Sequence, residues 1–210
     1  LTAALNAYAT GARVLPAAPA LRRAPQARVL IHAGMSKTGT TWLQHWLGAN
    51  RPQLLAQGVW YPDCGLYVQP GRPHKTGGHA PFLAAAQTGD GALRDHVAAA
   101  VEISGAHTVL LSSEAFHLGP EPQRLADYFD GWRVEAVLWL RRQDDWAASQ
   151  YREYVGGGAT FPVSAPIGEW LASEQTRNRL CFSTILDPWA ERLGRERLHL
   201  RRFGDGRLRP

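Results

Sequence analysis

The chain has 210 residues, 45% of them hydrophobic, which is enough for one sizeable core and makes one domain the default. A net charge of +5 and a pI near 9.6 favour anionic ligands, but the arginines are scattered and no nucleic-acid motif occurs, so the expected partners exclude nucleic acid. No run approaches the ~18 apolar residues of a membrane span, and Leu1 to Leu15 lack the basic start of a secretory signal.

The only cysteines, Cys64 and Cys181, are far apart and have no metal-ligand neighbours. The simple reading is two unpaired thiols in a reducing compartment, hence a cytoplasmic protein without a metal; one disulfide is the alternative. There is no initiating Met, so the start reads as that of a fragment. Leu1 to Ala27 are Ala- and Pro-rich, and Pro16, Pro19 and Pro25 argue against a long helix. We divide the chain into this extension, 1–27, and a domain, 28–210.

In chain order, Arg28 to Ala33 reads as a buried strand and Thr40 to Ala49 as a helix, with Trp42, Leu43, Trp46 and Leu47 on one face. Pro52 to Gln57 gives another helical turn, and Val59 to Tyr61 a short strand. Asp63 to Gly78 has no period and reads as a long loop, a common place for function. Helices are predicted over Ala80–Gln87 and Ala92–Ile103, a strand over Thr108–Leu111, and a helix over Gln123–Phe129. The strongest strand, Arg133–Leu140, precedes a helix over Asp144–Val155. Helices over Ile167–Ser173 and Asp187–Leu193 lead to a last strand, Arg197–Phe203, with Gly194 as a C-cap between them. Apolar strands alternating with helices predict an α/β fold: a three-layer, P-loop-type parallel sheet of about five strands flanked by helices.

Two stretches lie at predicted strand ends, where such sheets bind ligands. The first is His32-Ala-Gly-Met-Ser-Lys-Thr-Gly-Thr-Thr-Trp42. Strand, Gly-bounded loop and helix in that order make an anion cradle: glycines let main-chain N–H groups converge, the helix N-terminus adds positive potential, and Lys37 adds a full charge. Gly34 and Gly39 stand where a Walker A loop has glycines. The lysine, however, precedes Gly39, and Thr40-Thr41 fill the Lys-Ser/Thr positions, which argues against an ordinary ATPase. The second stretch is Arg141 to Ser149. Ser149 falls about one and a half turns into the following helix, on the face that looks back at the strand end, so a guanidinium and a hydroxyl converge on one phosphate.

Together these stretches resemble the sulfotransferases that use 3′-phosphoadenosine 5′-phosphosulfate (PAPS), bacterial and glycan-type members in particular. Ser36 to Trp42 is similar to that family's 5′-phosphosulfate loop, and Arg141 to Ser149 to its 3′-phosphate motif. The resemblance covers roughly Arg28 to Phe203. It implies transfer of a sulfuryl group to a hydroxyl or amine of a glycan, lipid or small molecule, giving PAP. It also implies that Ser36, Lys37, Thr38, Gly39, Thr40 and Thr41 hold the 5′ end, with Lys37 at the bridging oxygen, and that Arg141 and Ser149 hold the 3′-phosphate. Trp42 either flanks the adenine or packs in the core.

A general base is expected within hydrogen-bond reach of the acceptor. The family uses His or Glu at varying positions. His79 and Glu114 are the candidates, in that order, with His74 a third; His32 reads as a packed or hydrogen-bonding residue rather than a base. Trp60, Tyr61, Tyr67, His74 and Lys75 are expected at the acceptor's entrance. The glycine- and basic-rich C-terminal motif of cytosolic members does not occur before Pro210, so either the domain is truncated or the adenine is closed over differently. The rival readings are a P-loop kinase or NTPase and a non-catalytic nucleotide-binding module.

Overall fold

The computed structural model describes residues 27–68, 76–117, 121–156 and 163–204. Most of the N-terminal extension, and His74 and Lys75, lie outside these. Five strands, β1 (Arg28–His32), β2 (Val59–Trp60), β5 (Thr108–Ser112), β6 (Arg133–Arg141) and β7 (Leu198–Phe203), form an all-parallel sheet ordered β2-β5-β1-β6-β7. The predicted loop over Asp63–Gly78 instead holds two short antiparallel strands, β3 (Tyr67–Val68) and β4 (Thr76–Gly78).

Alternation along the strands builds the core. Val29 and Ile31, Val109 and Leu111, and Val134, Ala136 and Leu138 all point to one face. There they meet α3 (Pro81–Thr88), α4 (Ala92–Ser104), α5 (Glu121–Tyr128), α6 (Gln143–Val155) and α9 (Phe182–Leu193) through Phe82, Val101, Leu125, Trp146 and Trp189. The opposite face carries His32 and Ser112, against which α1 (Thr40–Ala49) lays Gln44. The short helices α2 (Arg51–Ala56), α7 (Ile167–Ala172) and α8 (Glu174–Leu180) complete the described α-helices.

Two helices depart from the sequence reading for physical reasons. α1 buries Thr40, Gln44 and Leu47 and leaves Trp42 and Trp46 exposed. The sheet surface it covers is polar, so a hydrogen-bonding Gln44 takes the inward position. α9 begins at Phe182 rather than Asp187 and contains Pro188. An internal proline costs about 3 kcal/mol, and the buried stripe Ile185, Trp189 and Leu193 outweighs it. The helix over 174–180, which has no apolar period, is started by Ser173, whose hydroxyl accepts from the Thr176 N–H.

Both cysteines are free thiols. Cys181 is exposed, and burial pushes the Cys64 thiol up to about 12. No helix among the described residues is long and apolar enough to cross a membrane.

The chain leaves β1 toward β2 on one side and β6 toward β7 on the other. The carboxyl ends of β1 and β6 therefore flank the crevice where a parallel sheet takes its ligand. Both sequence motifs begin at these two ends.

Candidate active site

The loop after β1 turns on two left-handed residues, Lys37 (φ 63°) and Gly39 (φ 74°). Thr38 is buried, and its hydroxyl donates to the Met35 carbonyl at 2.6 Å, closing the loop on itself. Gly34 is tightly enclosed: a Cβ there would stand 3.0 Å from His32 Nε2 and 3.1 Å from Thr38 Oγ1, so those side chains would have to shift by a few tenths of an ångström. No side chain caps α1, and its first main-chain bond runs from the Leu43 N–H to the Gly39 carbonyl. The N–H groups of Thr40, Thr41 and Trp42 have no acceptor among the described residues. Unmet donors at a helix N-terminus, beside a lysine, suit an anion.

Arg141 closes the distance between the two motifs. Its Nη1 donates to the Lys37 carbonyl at 2.8 Å, and its guanidinium lies 5.5 Å from the centre of the Phe203 ring. Nε and Nη2 have no hydrogen-bond partner among the described residues, so part of the fork is open to an anion. Ser149 is half-buried in the second turn of α6. Trp42 is 47% exposed, so core packing is not its role.

Glu114 opens a short 3-10 turn, Glu114–His117, directly after β5, and is half-buried. Burial pushes its carboxyl above its ordinary value; a hydrogen bond with Thr40 and the charge of Lys37 pull it back, and Glu153 pushes it up again. The carboxyl group thus faces the loop. His79 is placed differently. It is fully buried, its Nδ1 accepts from the Ser112 N–H at 3.1 Å, and its Nε2 donates to the Pro62 carbonyl at 3.2 Å. Both nitrogens are committed to main chain, and burial lowers the ring's pKa to about 4. Tyr61 is also buried, edge-on to His79 at 4.8 Å, so it lines no entrance.

Three residues of the site escaped the sequence reading. Trp146 Nε1 donates to Ser36 Oγ at 3.2 Å, Ser36 Oγ donates to Gln150 Oε1 at 2.7 Å, and Glu153 pairs with the Lys37 ammonium at 3.3 Å. The available signal was spacing: Trp146 and Glu153 lie three before and four after Ser149, on its side of α6. His32 is confirmed as buried, with its Nδ1 2.8 Å from Ser112 Oγ.

The described residues form an α/β domain whose parallel sheet carries, at the ends of β1 and β6, a loop with unmet main-chain N–H donors and the Arg141 guanidinium. Two solved structures are similar to it. A sulfotransferase from Alicyclobacillus acidocaldarius matches with a TM-score of 0.47 and 16% identity, over 88% of this chain and 74% of that one. A mouse sulfotransferase in complex with PAP matches with a TM-score of 0.41 and 14% identity, over 86% of this chain; the present chain spans 53% of the mouse protein. No protein-family model and no curated protein matches the sequence.

Proposed function

We propose that this chain is a PAPS-dependent sulfotransferase, moving the sulfuryl group of PAPS to a hydroxyl or amine and releasing PAP. One observation supports the reading: Arg141 Nη1 donates to the Lys37 carbonyl, so the two motif-bearing stretches, 104 residues apart, meet. An ATP reading leaves Arg141 and Ser149 without a phosphate to bind and has the lysine on the wrong side of Gly39.

In this reading the free N–H groups of Thr40 to Trp42 and the Thr41 hydroxyl hold the 5′-phosphate, with Ser36, Thr38 and Gly39 shaping the loop. Arg141, through Nε and Nη2, and Ser149 hold the 3′-phosphate. Trp42 offers an exposed ring to the adenine. Glu114 takes the acceptor's proton as the acceptor's oxygen or nitrogen bonds to sulfur. Lys37 offsets the charge left on the bridging oxygen as the sulfur–oxygen bond breaks toward PAP. His79 is not given the base role, because both its ring nitrogens are already engaged.

Thermal-shift and calorimetric binding of PAP against ATP with Mg²⁺ test the assignment. PAP is expected to bind more tightly; preference for ATP would replace it with the kinase or NTPase reading. Lys37→Ala should lower transfer by about 10²–10³-fold with PAP still bound. Arg141→Ala should weaken PAP by about tenfold or more yet spare adenosine 5′-phosphosulfate. Equal loss for both ligands would leave Arg141 only as the clamp on the Lys37 carbonyl.

A further inference from the structure

Lys37 is held from two directions. Arg141 fixes its carbonyl, and Glu153 Oε2 lies 3.3 Å from its ammonium. Glu153 is itself tethered, because Gln150 Nε2 donates to the same carboxylate oxygen at 3.2 Å. Gln150 accepts from Ser36, and Ser36 accepts from the Trp146 indole. Trp146 and Gln150 are buried. A continuous polar chain therefore runs from the core side of α6 through the loop and ends at the lysine's charge.

This arrangement has a consequence for any anion entering the cradle. The carboxylate cancels the lysine's charge in the resting site and adds a like charge beside the incoming ligand. The Lys37–Glu153 pair is partly solvated, so it is weak enough to exchange. We propose that Glu153 is a positioning residue: it parks the Lys37 ammonium against α6 until an anionic donor displaces it. Donor arrival and delivery of the lysine to the reacting bond then become one event. The donor's identity rests on the function proposed above; the parking itself does not.

Glu153→Gln keeps the shape and an acceptor for Gln150 but removes the charge, and Glu153→Asp keeps the charge. Calorimetry on both variants and the parent uses two probes: PAP, and inorganic pyrophosphate, which reports on the loop alone. Glu153→Gln should bind both about fivefold more tightly, at an unchanged melting temperature, and should lower KM for PAPS more than it changes kcat. Glu153→Asp should stay near the parent. A purely structural Glu153 would instead lower affinity and melting temperature together in the Gln variant. Pyrophosphate that binds Glu153→Gln no more tightly than the parent overturns the parking. Pyrophosphate that tightens while PAP binds none of the three leaves the parking intact and overturns the sulfotransferase reading.

Discussion

Glu114 stands at the meeting point of opposed influences: burial and Glu153 favour its neutral form, Thr40 and Lys37 its charged form. A base must be the carboxylate, and its pKa is raised, so transfer should fall as pH drops through that raised value. Glu114→Gln is expected to remove this acid limb and to cut kcat by about 10²–10⁴-fold; a retained limb in the pH–rate profile would clear Glu114 of the role. His79, with both ring nitrogens engaged by main chain, is expected to act on stability instead. Its removal as His79→Ala opens a cavity and strips the Ser112 N–H of its acceptor. Urea unfolding should show a loss of about 2–4 kcal/mol, with the pH–rate profile unmoved.

Among the elements, β4 approaches the end of β5 so closely that it admits no side chain. At Gly78, φ is 59° and a Cβ would lie 2.0 Å from the Ser112 carbonyl oxygen, while the adjacent His79 N–H donates to that oxygen at 2.8 Å. Backbone cannot yield as a flexible side chain does. Gly78→Ala should therefore cost more than about 3 kcal/mol and disturb the His79–Ser112–Gln44 contacts beneath the loop. Gly89 is the control, with φ of 72° and nothing within 4 Å. Gly89→Ala should cost only about 1 kcal/mol. Denaturant midpoints of the two variants make the comparison; similar losses would mean that dihedral strain, not the close approach, governs Gly78.

At the scale of the molecule, three buried histidines among the described residues are expected to shape the response to acid. Burial lowers His32, His79 and His117 each to about 4, from an ordinary value of 6.5. Between those values the unfolded chain binds protons that the folded chain refuses, so stability falls as pH drops from 6.5 toward 4. Each ring contributes at most about 3 kcal/mol. Glu135 extends the loss at lower pH. Burial would raise its carboxyl, but the His199 hydrogen bond and the Arg28 and Arg133 guanidinium groups hold it below the carboxylate range. Its stabilisation is complete above the unfolded carboxylate value and is lost as pH falls through the folded one. Urea titrations from pH 7 to 4 should show a steep fall, with up to three protons taken up per molecule unfolded near pH 5. A flat profile would mean that these rings are hydrated in solution.

Periodicity and punctuation carried most of the fold. Most strands of the parallel sheet read as apolar runs, with β7 the mixed exception through His199, Arg201 and Arg202, and the loop after β1 is legible because Gly34, Lys37, Gly39 and the threonines are neighbours along the chain. What the sequence could not decide was long-range. Glu114 and His79 are both polar residues near strand ends, and only packing puts one beside Lys37 and seals the other between two main-chain groups. Trp42 and Trp46 read as an inward face until the sheet beneath α1 proves polar and takes Gln44 instead. The Glu153–Lys37 pair and the Arg141 clamp join segments more than a hundred residues apart. The sequence therefore determined the sheet and the glycine-bounded loop after β1, whereas burial and encounter between distant segments, properties of the assembled chain, decided which charges face that loop and which are enclosed in the core.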